Sequence, residues 1–379
     1  MTKFSKLMTF TTFFVLILSC TNKNKSGADL IYLDVSKNYP EKSINLEEIA
    51  DIKYVQPEFN EDYLFNMAIK HVTSSTITLY DLHTREILFF TIDGKAKSKF
   101  NRNGGGPGEY SQISSFIYDE QEDKLFAMTQ NSIFVYSSEG HHYYTISLPE
   151  GARINGMVNF DKESLLLYNE GKGYNKNFVR ISKIDGSVVE EININHKDID
   201  LSFSSTQREG FIVKGRGPTI NITRNKEGYL LNDHSNDTIY YYTGNNQLKP
   251  ALVRTPPIFE MEPYIYINGF IETKDYLFLQ KLKTVMENGD LPIDYIMIDK
   301  NDHSAYKQKI FIKDYEGKDI NLSPERANGS FDAKIGLIEL TLEELNEAYA
   351  DNKLSGNLKE LVEASDDDTN NIFMLLYYK

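Results

Sequence analysis

The sequence contains one cysteine and no tryptophan in its 379 residues, and each shortage excludes something. A single cysteine, Cys20, cannot form a disulfide within the chain, so noncovalent packing must hold the fold. Positive charge is also scarce, with 41 Lys and Arg against 55 Asp and Glu, for a net charge of −14. Such a surface repels phosphates, which argues against a nucleic-acid partner. Apolar runs are short, because none reaches the roughly 18 residues that a membrane-spanning helix requires.

The N-terminus has the pattern of an export signal. Two lysines precede an apolar run, Met8–Leu18, that is too short to span a membrane as a mature helix. The run ends in Ile17-Leu-Ser-Cys20, which resembles a bacterial lipobox, the signal whose cysteine receives a lipid. We therefore predict a signal peptide over residues 1–19 and an outer-membrane lipoprotein that is anchored through Cys20 and faces the periplasm. Residues 20–48 are interpreted as the lipid-anchored tether and N-terminal segment.

What the chain has in abundance is a repeated strand-and-turn pattern. An apolar, aromatic-rich strand runs into a polar turn six times, and the turn glycines Gly94, Gly140 and Gly186 follow one another at intervals of 46 residues. Short strands bounded by Asp-Gly or Glu-Gly are typical of β-hairpins. A repeat of this length indicates stacked sheets, because one unit cannot bury its apolar face alone. The six units predict an all-β fold, a six-bladed β-propeller, over residues 49–379.

The sixth unit is one strand short. We label the four strands of a blade A to D, from the inner channel to the rim, and its strand C, Ile372–Tyr378, reaches the end of the sequence. Ile52–Val55 is therefore expected to act as strand D of the last blade and to close the ring. The same unit carries a helical insertion at about residues 341–364, which opens on a capping-box pattern at Thr341-Leu-Glu-Glu344. This insertion is either a plug packed on the ring or a docking hairpin for a partner.

The strand order indicates where a ligand would bind. Strands alternate in direction, so the B-to-C turns and the D-to-A connectors emerge together on one face, where the loops are long and varied. Two of these connectors, Asn103–Tyr110 and Lys214–Pro218, are rich in glycine. They are either tight crossovers or loops that offer backbone N–H groups to a ligand at the channel mouth. The candidate ligand-binding residues on this face are Arg102, Glu109, Tyr110, Lys172, Lys214, Arg216, Asp233 and His234.

Three stretches carry a family resemblance. Gly104-Gly-Gly-Pro-Gly-Glu-Tyr110, Asn236-Asp-Thr-Ile-Tyr240 and the terminal Asn371–Lys379, together with the lipobox, are similar to those of six-bladed β-propeller lipoproteins of Gram-negative bacteria. These proteins resemble the NHL-repeat and TolB-like propellers. The chain departs from the family at Ile372, where a proline is common. The resemblance spans nearly the whole mature chain and implies the architecture, but no particular ligand.

Two classes of function fit these observations. The first is a cell-envelope binding module that takes a peptide, a glycan or a partner protein at the loop face, where the basic candidates could receive an anionic group. The alternative is a metal-dependent hydrolase or lactonase-like enzyme, as in some six-bladed relatives, with carboxylates and histidines at the channel mouth. No metal-ligand spacing, H-E-x-x-H or G-x-S-x-G motif is present, so we predict no catalytic residue, metal or other cofactor. The His141-His142 pair is expected on the opposite face.

Overall fold

The computed structural model describes residues 30–174, 176–206, 212–225, 228–287, 290–323, 335–365 and 369–379. The predicted signal peptide, residues 1–19, and the predicted lipidation site, Cys20, lie outside these ranges. The described chain is mostly β-strand and forms a six-bladed propeller, which confirms the prediction from the repeats. Its helices are short, and none that is described has the length and apolar character needed to cross a membrane.

The N-terminal segment contributes strands to three different blades. These strands are β1 (Ile31–Asp34), β2 (Glu41–Asn45) and β3 (Ala50–Val55), with the one-turn helix α1 (Leu46–Ile49) between β2 and β3. The sequence predicted the last of them. The first two lie within residues 20–48, which we interpreted as tether and N-terminal segment.

Blades I to III each contain four antiparallel strands in chain order. Blade I consists of β4 (Ala68–Val72), β5 (Thr76–Asp81), β6 (Ile87–Thr91) and β7 (Ala96–Phe100). Blade II consists of β8 (Ser115–Asp119), β9 (Lys124–Met128), β10 (Ser132–Tyr136) and β11 (His142–Ser147). Blade III consists of β12 (Ile154–Asn159), β13 (Ser164–Asn169), β14 (Phe178–Ser182) and β15 (Val188–Ile192). The first strands of these blades contact one another, so they surround the axis of the ring.

Blades IV and V each gain a parallel strand from the N-terminal segment, beside their fourth strand. A separate hairpin, β16 (Ser202–Thr206) and β17 (Ile212–Arg216), precedes them. Blade IV consists of β18 (Ile222–Arg224), β19 (Tyr229–Leu231), β20 (Thr238–Tyr242) and β21 (Leu248–Thr255), and a 3-10 helix (Ile258–Glu260) follows. Blade V consists of β22 (Ile265–Glu272), β23 (Tyr276–Lys283), β24 (Ile293–Asp299) and β25 (Ala305–Ile312), and β26 (Tyr315–Ile320) folds back on β25. Strand β1 pairs in parallel with β21, and β2 pairs in parallel with β25.

Blade VI joins the two ends of the chain. Its described strands are β27 (Ile335–Leu340) and β28 (Ile372–Tyr378), and β28 pairs with β3 so that Phe373 lies opposite Val55 and Tyr378 opposite Ala50. The predicted closure by Ile52–Val55 is therefore confirmed, within a strand that begins two residues earlier.

The hydrophobic core is divided into layers between neighbouring blades. In β13, the side chains of Leu165 and Leu167 pack toward blade II, whereas those of Leu166 and Tyr168 pack toward blade IV. All residues of this strand are buried, because the alternation of side chains places one set against each neighbour. This two-sided burial explains why the repeats are continuous apolar runs rather than alternating polar and apolar ones.

The repeat glycines stand where blades meet. Gly140 has a φ of +77°, and a Cβ atom there would lie 2.5 Å from Cγ of Phe100, at the end of the preceding blade. Gly186 repeats this arrangement, with a φ of +74° and the side chain of Ile146 at 2.5 Å from the same imagined atom. The spacing of 46 residues therefore marks both a tight turn and a close interblade contact, two conditions that favour glycine.

The predicted helical insertion forms two helices between β27 and β28. They are α2 (Leu342–Ala350) and α3 (Gly356–Glu363). Leu345 and Leu358 are fully buried in the layer between blades V and VI, so the insertion packs on the ring. The expected cap by the Thr341 hydroxyl does not form. Instead, the backbone N–H of Leu342 donates to Oδ1 of Asn371 at 3.1 Å, which satisfies one of the free donors at the helix start.

Two neighbouring residues of β1 test whether the N-terminal segment is part of the folded ring. Leu33 is 1% exposed in the layer between blades IV and V, whereas Tyr32 is 65% exposed. We expect Leu33→Ala to lower the free energy of unfolding by about 2–5 kcal/mol, because it leaves a cavity in that layer. Tyr32→Ala should stay within about 0.5 kcal/mol of the wild type. Denaturant unfolding of both variants measures this, and equal stabilities would mean that β1 does not support the ring.

Candidate functional site

A cleft of about 690 Å³ opens on the face where the B-to-C turns and D-to-A connectors emerge. Its lining residues lie within 170–177 on one side, in the turn between β13 and β14, and within 193–198 on the other, in the connector after β15. Both walls are loops, but each is held by side chains that are buried in the propeller. The cleft is therefore a loop site on a rigid frame.

Asn169 holds the first wall. Its side chain is almost fully buried, and its Nδ2 donates to the backbone oxygens of Gly171, Tyr174 and Lys176 at 2.9–3.1 Å. Its Oδ1 accepts from the backbone N–H of Arg153 at 2.7 Å. One amide thus replaces the strand hydrogen bonds that the turn lacks, which keeps an irregular loop in one conformation.

His196 lies on the second wall and is paired with a buried carboxylate. Its Nδ1 lies 2.9 Å from Oδ2 of Asp233, which is 1% exposed. The hydroxyl and the backbone N–H of Ser235 also donate to Oδ1 of Asp233, at 2.7 and 2.9 Å. The hydrogen bond to Asp233 raises the pKa of His196 above its ordinary value of 6.5. The imidazole is therefore a cation over a wider pH range than a free histidine.

Glu170 is enclosed by arginines at the base of the cleft. Its Oε2 lies 2.7 Å from Nη1 of Arg216, and its Oε1 lies 3.2 Å from Nε of Arg153. The Glu170 side chain is only 13% exposed. Two guanidinium groups, neither of which lines the cleft itself, thus neutralise this carboxylate.

The rim of the cleft carries exposed charges and a tyrosine. Nζ of Lys172 lies 2.9 Å from Oδ2 of Asp198, and both side chains are largely exposed. Exposed pairs of this kind contribute only about 0–1 kcal/mol, so Lys172 can leave Asp198 at low cost. Tyr174 donates its hydroxyl to Glu191 at 2.8 Å, and burial together with this bond raises its pKa to about 12.

The first glycine loop lies elsewhere and binds its own carboxylate. The backbone N–H of Gly106 donates to Oε2 of Glu109 at 2.8 Å, and a Cβ atom at Gly104 would lie 2.0 Å from that oxygen. Nε of Arg102 donates to the backbone oxygen of Gly140 at 3.0 Å and so fastens the loop to blade II. Arg102 and Glu109 therefore lie close together at the first glycine loop, and neither lines the cleft.

Tyr110 and the histidine pair belong to the same neighbourhood. Tyr110 is fully buried, and its hydroxyl donates to the backbone oxygen of Arg85 at 2.7 Å. Burial raises its pKa well above the ordinary range. The sequence predicts the His141-His142 pair on the opposite face; in the structure, a Cβ atom at Gly108, in the first glycine loop, would lie 2.8 Å from Nδ1 of His142. The connector after blade I therefore reaches the C-to-D turn of blade II.

The other candidate ligand-binding residues are divided between the cleft and the core behind it. His234 is buried, its Nδ1 lies 3.1 Å from Nδ2 of Asn221, and burial lowers its pKa to about 4. The second glycine loop, expected at Lys214–Pro218, is strand through Arg216, and Lys214 is placed in β17. A Cβ atom at Gly215 would lie 2.5 Å from the ring of Phe203 in the paired strand, which explains this glycine by close approach.

Three residues of the cleft were missed by the sequence analysis. His196 and Glu170 are single polar residues in polar loops and Asn169 ends strand β13, and no spacing distinguishes them from solvated side chains. His196 does lie in a D-to-A connector, the kind of segment that the strand order placed on the loop face. Within the described ranges, no group of three or more His, Cys, Asp or Glu side chains is arranged so that it could hold a metal ion.

The chain is thus a six-bladed propeller with a polar cleft on the face that carries its long loops. The family described as domain of unknown function DUF4934 matches residues 30–377, so the chain belongs to this family. A crystal structure of a presumed exported protein from Bacteroides fragilis is similar over 93% of this chain and 100% of that one, at 16% identity and a TM-score of 0.62. A DUF4221 family member from Bacteroides vulgatus matches 87% of this chain and 98% of its own at 8% identity, with a TM-score of 0.45.

Comparison with curated proteins finds no match. The similarity to the Bacteroides fragilis protein supports the propeller fold alone, because the identity is low. Specific kinship to the NHL-repeat or TolB-like propellers stays a prediction.

The pairing of His196 with Asp233 predicts a pH dependence. Because the folded-state pKa of His196 is raised, the pair contributes stability that is fully present below pH 6.5 and is lost as pH rises through the raised value. We expect Asp233→Asn to lower the pKa of His196, and Asp198→Asn to lower it less, since the Asp198 carboxylate acts only through space. An NMR titration of the histidine ring protons measures both, and a His196 pKa that Asp233→Asn leaves unchanged would contradict the pairing.

Proposed function

We propose that this protein is an exported binding module that takes an anionic group of a glycan or peptide in the cleft between blades III and IV. The observation that carries this proposal is the charge of the cleft. The chain as a whole has a net charge of −14, yet the cleft brings Lys172, Lys176 and His196 together. Of the carboxylates beside them, Glu170 is neutralised by two arginines, Asp233 is buried behind His196, and Asp198 is an exposed partner that Lys172 can leave at low cost. A local group of cations on an otherwise acidic surface attracts anions to the cleft.

The chemistry of the lining supports a polar ligand with a carboxylate. Lysine Nζ and the protonated imidazole donate hydrogen bonds to an anionic oxygen, and such charge-assisted bonds are stronger than neutral ones. Asn177, Asn193 and Asn195 add amide groups on both walls, which are suited to hydroxyl or peptide groups next to the anion. The cleft volume of about 690 Å³ lies within the usual range of small-ligand sites, about 300–1,000 Å³.

Calorimetric titration with two carboxylated probes tests the proposal. The probes are oligogalacturonate, with its methyl ester as the neutral counterpart, and an oligoglutamate peptide. We expect one of the acidic probes to bind, and Lys172→Gln and His196→Gln each to weaken it about tenfold, because each removes a charge-assisted hydrogen bond. The same charge change at Lys97, an exposed residue of β7, is the control and should leave affinity unchanged. Failure of both acidic probes to bind, or equal affinity of all variants, would contradict the proposal.

Export is supported by the N-terminal pattern and agrees with the description of the Bacteroides fragilis structure as that of a presumed exported protein. We extend the proposal to an outer-membrane lipoprotein that is anchored through Cys20 and faces the periplasm, where the ring would meet soluble or wall-bound ligands.

Replacing the proposed lipidation site separates anchoring from folding. We expect Cys20→Ala to move the protein from the membrane fraction to the soluble fraction, because no acyl chain can then be attached. Fractionation and immunoblotting measure the distribution, and Ser19→Ala serves as a neighbouring change that keeps the cysteine. Retention of the Cys20→Ala protein in the membrane fraction would rule out this anchor.

A further inference from the structure

A second cavity, of about 530 Å³, opens at the opposite end of the ring. It is lined by the ends of the inner strands β4, β8, β12 and β18 and by the turns that follow three of them. These A-to-B turns emerge on the face away from the cleft, because successive strands of a blade run in opposite directions. The cavity therefore lies around the axis of the propeller, and none of its lining residues belongs to the cleft.

A buried histidine and the buried amide oxygen of a half-buried asparagine line this cavity without hydrogen-bond partners in the described part of the chain. His71 of β4 is 3% exposed, and neither Nδ1 nor Nε2 has a partner in the described part of the chain. Oδ1 of Asn159, at the end of β12, is likewise buried and without a partner there. An unpaired buried polar group destabilises the folded state, so native proteins rarely keep one without a reason. Here the unpaired groups of His71 and Asn159 come from different blades and line one cavity.

The carboxylates that line the cavity are already paired within the protein. Glu120 accepts hydrogen bonds from the hydroxyls of Thr73, Ser74 and Ser75 and from the Ser75 backbone N–H. Asp119 lies 2.9 Å from Nζ of Lys183, and Asp161 lies 3.0 Å from Nη2 of Arg180. These pairings leave the neutral groups of His71 and Asn159 as the buried unpaired groups of the cavity, whose lining also includes the exposed cation Lys162.

The unpaired groups of His71 and Asn159 match a ligand that carries hydroxyl groups. Burial lowers the pKa of His71 to about 3, so its imidazole is neutral and has one N–H donor and one acceptor nitrogen. A hydroxyl group both donates and accepts, and therefore suits either nitrogen. The Asn159 oxygen requires a donor, which a second hydroxyl of the same molecule supplies.

We propose that this cavity is a second binding site, for a neutral polyhydroxylated ligand such as a monosaccharide or the end of a neutral glycan, held by hydroxyl hydrogen bonds to His71 and Asn159. This inference goes beyond the proposed function, since it concerns the opposite end of the ring and an uncharged ligand. It stands on its own observations and is independent of any ligand in the cleft.

Saturation-transfer NMR of the purified protein with glucose, galactose, mannose and N-acetylglucosamine, each at millimolar concentration, tests the proposal. We expect at least one sugar to bind, and His71→Leu and Asn159→Leu each to weaken it about tenfold, the usual effect of losing hydrogen bonds to a buried group. His71→Gln, which keeps a donor and an acceptor, should retain part of the affinity. His234→Leu is the matched control, because His234 is a buried histidine that does not line the cavity. Lys97→Gln, at an exposed residue of β7 outside both sites, should also leave sugar binding unchanged.

Thermal unfolding of the same variants separates binding from folding. His71→Leu removes an unpaired polar group, so its midpoint should equal or exceed that of the wild type while sugar binding falls. Three results would overturn the proposal: no sugar binds, the wild type and His71→Leu bind equally, or a crystal soaked in the sugars holds only water at His71. Should His71→Leu fail to fold, Asn159→Leu provides the same comparison from another blade.

Discussion

The structure depends on the packing of each blade against both of its neighbours. Leu165 and Leu167 of β13 face one interblade layer, and Leu166 and Tyr168 of the same strand face the next. A single blade would expose two apolar faces, so no blade is stable apart from the ring. The first and last blades have the same requirement, which can be met only by closing the circle. Closure by β3 against β28 is therefore a condition for burying the core, as well as a way of protecting strand edges.

The N-terminal segment extends this constraint around half of the ring. Strands β1, β2 and β3 join blades IV, V and VI in turn, so one continuous stretch of chain fastens three neighbouring blades. Leu33 and Ile44 are buried in successive interblade layers, which makes the segment part of the core rather than an attachment to it. The two helices of blade VI pack on the layer next to it. Reinforcement of the fold is thus concentrated near the closure.

A ring that is apolar between its blades leaves its polar chemistry at the two ends of the axis. At one end, Asn169 and Asp233 hold loops in place and the cleft gathers cations over a neutralised carboxylate. At the other end, the protein pairs its own carboxylates and leaves neutral groups on His71 and Asn159. The two ends are therefore suited to different ligands, an anion and a neutral hydroxylated molecule.

The sequence by itself determined the number of blades, the turn glycines, the closing strand and the helical insertion. These features follow from local rules: strand and turn periodicity, the residues that tolerate positive φ, and the count of strands in the last unit. Only the tertiary structure decided that β1 and β2 lie on blades IV and V, because a parallel rim strand needs a partner more than 200 residues away in sequence. The same holds for His196 with Asp233 and for His71 with Asn159. Each of these is an ordinary polar residue in its own segment, and its role comes from a neighbour that the closed ring brings to it.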